Sequence, residues 1–323
     1  MEIVSSDFSV IIQGPILGNR DAPYEEQLTM QCIESIRNVL PEAEVIISTW
    51  NGSDVSHLTF DKVVFNEDPG AVSYNDTILK NTFNNNNRQI VTTHTGLMAA
   101  TRKYSIKMRG DCKLLNSSFI NFLGKYDDAW GEKLFSQRVV VPIYFSRNPA
   151  KVPLLYHISD LFQIGLTSDL LDLWSIPLQP EPETTRANTS VALTDPFAFN
   201  EYKMRYASEQ YIWYAFTHKK NIDLSLKYYC QTPIFKLRDA LLSIINNFVI
   251  VHPEQLGLEL PKRLLHGEQF LYTFDEWLFY YEKFCKEKSF YHLLIKILLV
   301  KKCAYRYFLK NGFKRIKKSL RGR

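Results

Sequence analysis

The stretch KMRGDCKLL, residues 107–115, places a guanidinium and a carboxylate two positions apart, directly after a short apolar run. If that run is a strand, Asp111 lies at its end, where a carboxylate can coordinate Mg²⁺ or Mn²⁺. Arg109 can then neutralise a diphosphate by bidentate hydrogen bonding. A local ion pair between the two residues is the alternative, and it contributes only about 0–1 kcal/mol when exposed. The residue types therefore predict either a phosphate and metal site or a surface ion pair.

Two other segments combine a predicted element boundary with groups that suit a nucleotide. Asn87 and Arg88 begin a predicted helix, where a basic residue is unfavourable for the helix dipole unless an anion binds beside it. Trp50 and Asp54 follow a predicted strand, where an indole can stack on a base and a carboxylate can accept hydrogen bonds from a ribose or a base. The alternatives are a capped surface helix and a tryptophan at the core edge followed by turn residues.

Three residues are candidates for proton transfer or for binding sugar hydroxyls. His157 and Asp160 are three residues apart, and both face one pocket if a strand begins near Asp160. Glu209 lies near the start of a predicted helix, where a carboxylate is favourable for the dipole and can also act as a general base. A purely structural pair is the alternative for His157 and Asp160.

The pattern of the first half places these groups at one edge of a sheet. Strand-like apolar runs alternate with amphipathic helical segments, as a parallel sheet covered on both faces requires. The strands are predicted in FSVIIQGPI, AEVIISTW, DKVVFNEDPG and YSIKMRGD, and the helices in QLTMQCIESIRNVL and RQIVTTHTGLMAATR. Ligands bind outside the carboxyl ends of the strands in such sheets, so Asp111 is expected at the binding edge.

The remainder of the chain predicts an α+β part followed by a helical part. We expect a nucleotide-binding half in residues 1–125 and an acceptor half in residues 126–235, which together form one α/β domain over residues 1–235. After Pro233 the sequence turns helical and aromatic. Residues 236–323 are therefore expected to form a helical C-terminal extension with a basic tail.

Charge is distributed unevenly along the chain. The net charge is +5, but residues 296–323 contain eleven Lys or Arg and no acid, so the preceding 295 residues sum to about −6. The body has no basic face, and no nucleic-acid partner is expected. The apolar part of the tail is interrupted by His292 and Lys296 and is too short to span a bilayer. It is expected to lie on an anionic membrane surface as an amphipathic helix; a packed terminal helix with a frayed basic end is the alternative.

Cysteine usage and missing motifs limit the other classes. Five scattered cysteines without a C-x-x-C pair, and a first segment without the features of a signal peptide, predict a cytoplasmic protein. With its basic tail on an anionic membrane surface, this protein would be peripheral on the inner membrane. The P-loop, dinucleotide, zincin and nucleophile-elbow motifs do not occur in the sequence. This argues against the common NTPase, dinucleotide-binding, metalloprotease and hydrolase classes.

Eight segments, taken in order, resemble the WavE family, a bacterial lipopolysaccharide-synthesis family regarded as glycosyltransferases. They span about residues 8–215 and read VIIQGPI, CIESIRNVLPEAEVIISTWNGSDVS, NRQIV, YSIKMRGD, YFSRNP, HISDLFQIGLTSDLLDLW, PEPE and EQYIW. The resemblance implies a glycosyltransferase of GT-A type with one Rossmann-like α/β domain and a mainly parallel central sheet. Such an enzyme would build lipopolysaccharide or capsule from a nucleotide-sugar donor and a saccharide or lipid-linked saccharide acceptor.

The resemblance also implies roles for individual residues. GT-A enzymes usually carry Asp-x-Asp at the end of a central strand, and here that place reads Arg109-Gly110-Asp111. Asp111 is then the expected ligand of a Mn or Mg ion, and dependence on the metal stays open because Arg109 can replace part of its charge. Asn87 and Arg88 would flank the diphosphate. The strand-end residues expected to hold the base and ribose are Gln13, Gly14, Pro15, Thr49 and Trp50.

For catalysis, the resemblance implies that Glu209 occupies the place of the base used by inverting members, with Asp160 as the competing assignment. Two other functions fit the same sequence. A nucleotidyltransferase shares the fold type, but its glycine-rich, basic loop after the first strand is matched poorly by QGPILGNRDAP. A non-catalytic adaptor, with a basic tail for membranes or nucleic acid, would bind no nucleotide sugar.

Overall fold

Strands and helices alternate through the first half of the chain. The computed structural model describes residues 3–73, 83–181, 183–185, 205–232, 234–289, 291, 294, 295, 298–302, 305, 306 and 309. Its strands are β1 (Phe8–Gln13), β2 (Glu44–Trp50), β3 (Lys62–Asn66), β4 (Val72–Ser73), β5 (Phe83–Asn84), β6 (Tyr104–Arg109), β7 (Lys113–Leu114), β8 (Val139–Pro142), β9 (Gln163–Leu166), β10 (Phe248–Val251) and β11 (Leu258–Glu259). The α-helices are α1 (Leu28–Val39), α2 (Asn86–Met98), α3 (Thr167–Trp174), α4 (Ser208–Lys219), α5 (Ile234–Asn247), α6 (Pro253–Leu256) and α7 (Phe274–Tyr280), and a π-helix follows at Tyr281–Lys286.

Seven strands form the central sheet in the order β10-β8-β9-β6-β1-β2-β3. Pairing is parallel between β1 and both β2 and β6, between β2 and β3, and between β8 and β10. Only β9 runs antiparallel to its neighbours β6 and β8 in this sheet. The carboxyl ends of six strands and the beginning of β9 therefore meet at one edge. The predicted α/β fold with a mainly parallel central sheet is confirmed.

The region after residue 235, predicted to be helical, also contains two strands. Phe248–Val251 forms β10 and pairs in parallel with β8, and Leu258–Glu259 forms β11 and pairs with β7. The physical reason is local, because FVIV is a short, fully buried run with β-branched residues, which fit a pleated sheet better than a helix. The chain that follows β10 is consequently delivered to the carboxyl edge.

Helix α2 connects β3 to β6 and lies close against the sheet. A Cβ on Gly96 would approach Ile11 Cγ2 to 2.5 Å, so only glycine allows this distance between helix and sheet. Ile90 and Leu97 of the same helix are buried in the core. Of the five cysteines, Cys303 lies outside the described residues, and the other four are buried and free.

The amino edge of the sheet is held by the buried carboxylate of Glu44, the first residue of β2. It accepts hydrogen bonds from Ser9 Oγ at 2.5 Å and from the backbone N–H and hydroxyl of Thr101, each at 2.9 Å. Lys62 Nζ completes the set at 2.6 Å. Burial alone would raise the pKa of Glu44, but the bonds from Lys62, Ser9 and Thr101 outweigh it and lower the pKa to about 2. One carboxylate thus ties three strands to the turn between α2 and β6.

Replacing this carboxylate should remove a pH-dependent part of the stability. Because the folded pKa lies below the unfolded value, the ionised Glu44 stabilises the fold above about pH 4.5, and this contribution is lost as the pH falls towards 2. We expect Glu44→Gln to lower the free energy of unfolding by about 3 kcal/mol at neutral pH. The difference from the wild type should shrink on acidification in urea titrations. Glu42→Gln, at an exposed position two residues earlier, should change little; a pH-independent loss in Glu44→Gln would contradict the assignment.

Candidate functional site

A cavity of about 420 Å³ opens at the carboxyl edge of the sheet. The carboxyl ends of β1, β2 and β6 line the base of this cavity. These three strands are neighbours in the sheet, with β1 in the middle. Gln13 at the end of β1 is in register with Arg109 at the end of β6. The lining residues are Gln13, Gly14, Pro15, Leu17, Trp50, Asp68, Asn85, Arg88, Gln89, Arg109, Gly110, Asp111 and Arg263. Seven of the residues expected from the sequence are brought together here.

The Asp111 carboxylate holds two guanidinium groups in this cavity. Arg109 donates from Nε at 3.0 Å and from Nη2 at 3.2 Å, one bond to each carboxylate oxygen. Arg263 donates from Nη2 to the same carboxylate. The Asp111 side chain is only 1% exposed, whereas Arg263 is 56% exposed. Burial lowers the pKa of Arg109, but its bonds to Asp111 outweigh burial and the pKa is raised, so this guanidinium stays charged.

A third guanidinium, that of Arg88, lies in the first turn of α2. It forms a fork with Asp68, from Nε at 2.7 Å and from Nη2 at 2.6 Å, and it also donates to Asn85 Oδ1 at 3.0 Å. The cavity lining therefore contains three guanidiniums and two carboxylates, a net charge of +1. The N-terminus of α2 adds to the positive potential. An anionic ligand suits this arrangement better than a cationic one.

The carboxylate oxygens of this cavity are not arranged to hold a divalent metal ion. Both oxygens of Asp111, the expected ligand, accept hydrogen bonds from guanidiniums, and both oxygens of Asp68 accept from Arg88. Across the residues that the structure describes, no group of three or more His, Cys, Asp or Glu could hold a metal ion. Asp111 acts here as an anchor for arginines.

Three residues expected to bind the nucleotide do not line the cavity. Thr49 is buried and its hydroxyl pairs with that of Ser53 at 3.2 Å, because successive side chains of a strand point to opposite faces. Asp54 is exposed and accepts from the N–H of Ser56 at 2.9 Å. The side-chain amide of Asn87 is bonded to the backbone of Gln179. Its Oδ1 accepts from the Gln179 N–H at 2.6 Å, and its Nδ2 donates to the Gln179 carbonyl at 3.3 Å. The neighbouring residues Trp50 and Arg88 take the positions at the cavity.

The three candidates for proton transfer lie together in a buried cluster at the same edge, outside the cavity lining. His157 Nε2 is 3.4 Å from Glu209 Oε2 at the start of α4, and the Asp160 charge acts on Glu209. The antiparallel β9 brings this cluster to the carboxyl edge, because the segment before it must enter the sheet there. Gln89 lines the cavity and donates to the Asp160 carbonyl at 3.1 Å. Lys107 Nζ donates to the same carbonyl.

Protonation in this cluster is set by burial and by one backbone carbonyl. Burial lowers the pKa of His157 to about 4, helped by the charge of Arg147, so the ring is neutral at pH 7. Its Nδ1–H donates to the carbonyl of Phe145 at 2.9 Å, which leaves Nε2 as an acceptor. Burial, and then the charge of Asp160, raises the pKa of Glu209. The protonated Glu209 therefore lies beside an unprotonated His157 Nε2, with 3.4 Å between Glu209 Oε2 and this nitrogen.

The loop that supplies the Phe145 carbonyl is conformationally strained. Phe145 has φ 65° and Tyr156 has φ 59°, values that non-glycine residues rarely adopt. Each such residue costs about 1–3 kcal/mol, and strain of this kind accumulates at functional sites. The strained turn aims the carbonyl at His157 and thereby selects its tautomer.

The raised pKa of Glu209 gives a prediction for stability. Because the folded pKa lies above the unfolded one, the folded state loses stability as the pH rises through the folded value. Gln imitates the protonated carboxyl, so Glu209→Gln should be more stable relative to the wild type at about pH 9 than at about pH 6. Urea titrations at both pH values measure the difference. Glu254→Gln, at an exposed position, should show no such trend; an equal effect at both pH values would refute the raised pKa.

Residues that the sequence analysis missed complete the cavity. Asp68 follows β3 in a segment recognised as a strand end, and Asn85 and Gln89 flank two residues that were named. Arg263 had no local signal. It lies 152 residues after Asp111, in a 3-10 helix that follows β10. Only the recognition of β10 as a strand could have placed it at this edge.

The chain thus has a mainly parallel α/β sheet with a cavity at its carboxyl edge whose charge suits an anionic ligand. The model of the WavE lipopolysaccharide synthesis family matches residues 8–321 of the chain. The chain belongs to this family, and membership implies a part in lipopolysaccharide synthesis. The match extends about a hundred residues beyond the segments that carried the resemblance, through β10 and Arg263. No curated protein matches the chain.

Proposed function

We propose that the chain is a glycosyltransferase of GT-A type that transfers a sugar from a nucleotide-sugar donor to a saccharide or lipid-linked saccharide in lipopolysaccharide or capsule synthesis. The observation that carries this proposal is the cavity with three arginines at the strand ends. Family membership supports the biosynthetic context, and the cavity chemistry supports the donor class. A sugar nucleotide combines an anionic diphosphate with an aromatic base, and the cavity offers groups for both.

The arginines suit the diphosphate. Arg109 and Arg263 each carry five N–H donors, of which Asp111 uses only two and one respectively. Their remaining donors can bind phosphate oxygens, since guanidinium forks match phosphate geometry. Because Asp111 already holds both arginine side chains in place, they lose less conformational entropy when the ligand binds. The same charges stabilise the diphosphate as it leaves, in place of a metal ion.

The ends of β1 and β2 suit the nucleoside. Thr92 Oγ1 lies 3.0 Å from Gln13 Oε1 and 2.9 Å from the carbonyl of Arg88, and its single proton can serve either acceptor. The Gln13 amide lines the cavity and can offer Nε2 as a donor to a base or ribose oxygen. Trp50 lines the cavity and offers an indole for stacking. Gly14 has φ 105° and open space where a Cβ would stand, so a ligand can approach the backbone closely.

For transfer we propose an inverting displacement with Glu209 as the base. The ionised carboxylate takes the proton of the acceptor hydroxyl, the oxygen attacks the anomeric carbon, and the bond to the diphosphate breaks. A carboxyl whose pKa is raised towards the working pH is an effective base. The ring of His157 stays neutral beside Glu209 and does not take up the proton, since burial lowers its pKa to about 4. Asp160 is the competing base, and its charge contributes to the raised pKa of Glu209.

Nucleotide binding tests the donor site. We expect UDP, GDP or CMP, or a sugar conjugate of one of them, to raise the melting temperature of the wild-type protein. Arg263→Gln should weaken that binding about 10- to 100-fold in calorimetry, as expected when charge-assisted bonds to phosphate are lost. Arg263 is more than half exposed, so the fold should persist. Chelation by EDTA should leave binding unchanged.

The matched control is Arg37→Gln. Arg37 also pairs with an aspartate, Asp61, at 2.7 Å, but it does not line the cavity. Equal loss in both variants would show a general effect of charge. Absence of binding by every nucleotide would overturn the transferase proposal in favour of an adaptor, and release of pyrophosphate from a nucleoside triphosphate would identify a nucleotidyltransferase.

The base assignment is tested by activity. Glu209→Gln should lower kcat about 10²- to 10⁴-fold with little change in KM for the donor, because a general base contributes on that scale. Asp160→Asn should retain more activity and shift the pH profile to lower pH, since it removes a charge that raises the pKa of Glu209. Wild-type turnover in Glu209→Gln would refute the assignment, and retention of configuration in the product would exclude the inverting mechanism.

A further inference from the structure

The last described part of the chain presents an apolar surface to solvent. Residues 291, 294, 295, 298–302, 305, 306 and 309 are helical. Among the described residues, seven of the sixteen exposed large hydrophobic side chains lie in this short segment: Tyr291, Leu294, Ile295, Leu298, Leu299, Tyr305 and Leu309. The other nine are scattered over the molecule. Such a concentration of exposed apolar area usually marks a binding surface.

The spacing places these side chains on one side of a helix. Separations of three and four residues recur from residue 291 to residue 309, which is the period of a single helical face. Val300 lies on the opposite side of the helix from these side chains and is fully buried. The next residue, Lys301, donates from Nζ to the carbonyl of Thr232 at 2.6 Å. One side of the segment thus rests on the body while the apolar side faces outward. We name the outward residues, from Tyr291 to Leu309, the apolar stripe.

Basic side chains accompany the apolar stripe. Lys302 and Arg306 are exposed and project on the same side of the helix. Over residues 296–323 the chain contains eleven Lys or Arg and no Asp or Glu. Lys310–Arg323 lies outside the described residues and enters here through its sequence alone. An apolar face with tyrosines, bordered by basic residues, has the composition of a helix that lies in a membrane interface.

We propose that the apolar stripe docks on an anionic lipid bilayer, parallel to its surface. Charge selects this occupant over a second copy of the chain, because two such segments would bring two sets of cations together. Anionic headgroups neutralise the cations while the leucines enter the acyl boundary. No helix in the described part of the chain is long and apolar enough to cross a membrane.

Vesicle co-sedimentation of the full chain tests the docking. We expect binding to vesicles of equal parts phosphatidylcholine and phosphatidylglycerol, and much weaker binding to phosphatidylcholine alone. Leu298, which is 67% exposed, is the central side chain of the stripe. Leu298→Glu should lower the partition coefficient by at least about tenfold, since an apolar side chain no longer enters the lipid. Lys302→Gln and Arg306→Gln should each lower it about fivefold at low salt.

Leu115→Glu is the matched control, because Leu115 is 58% exposed but lies in the loop after β7, away from the stripe. It should bind vesicles like the wild type. Circular dichroism shows whether each variant is folded, and Leu294→Glu provides a second substitution in the stripe. Equal binding to neutral vesicles, or unchanged binding in both stripe variants, would overturn the proposal. A dimer that is lost in Leu298→Glu, without any vesicle binding, would assign the stripe to a second copy.

This inference does not rest on the transferase activity. Nucleotide binding by the Leu298→Glu variant, measured in detergent-free buffer, should equal that of the wild type. If the wild-type protein binds nucleotides but not vesicles, only the membrane contact is refuted. If it binds vesicles but no nucleotide, only the proposed function is refuted.

Discussion

Parallel pairing of β1 with β2 and β6 is the constraint on which the rest of the arrangement depends. Parallel strands must be joined by crossovers, so every strand end of one kind meets at the same edge. The cavity, the buried cluster of His157 and Glu209, and Arg263 all lie there because six strands end and one begins at that edge. The antiparallel β9 contributes to this, since the segment that precedes it has to start from the binding side.

Within that edge, one carboxylate organises the positive charge. Asp111 is almost completely buried and is paired with two arginines, one two residues away and the other far along the chain. A buried charge is tolerated when it is paired and hydrogen-bonded, and here the partners are more exposed than the charge that holds them. The result is a set of guanidiniums fixed in place before a ligand arrives. In the proposed enzyme this set takes over the charge balance that a metal would otherwise supply.

The buried cluster of His157 and Glu209 has a different electrostatic character. It is removed from solvent, its histidine is neutral, and its glutamate tends to retain a proton. A strained turn at Phe145 selects the histidine tautomer. The two parts of the edge therefore complement each other: a cationic cavity suited to a leaving diphosphate, and a buried cluster in which burial and the charge of Asp160 raise the pKa of a carboxyl.

Much of the architecture follows from local sequence. The apolar runs of β1, β2, β3 and β6 and the helical periods of α1, α2 and α4 were identified by pattern, because side-chain periodicity reports burial directly. Strand ends then indicated Gln13, Trp50, Arg109 and Asp111, since ligands of parallel sheets bind there. The proximity of His157, Asp160 and Glu209 was anticipated in part, from short spacing and from the start of a helix.

Two features follow only from the tertiary structure: the pairing of residues that are distant in sequence, and the direction in which side chains point at the strand and helix ends. Arg263 reaches Asp111 because β10 joins the sheet next to β8, a pairing that no local pattern encodes. Thr49 and Asn87 turn away from the cavity while Trp50 and Arg88 face it, because one residue of register exchanges the two faces of a strand and rotates a helix by about 100°. The sequence by itself determined the main strands and helices of the first half and where their ends lie, because side-chain periodicity is local. Packing decided which charges meet, since pairing across 152 residues depends on the assembled sheet.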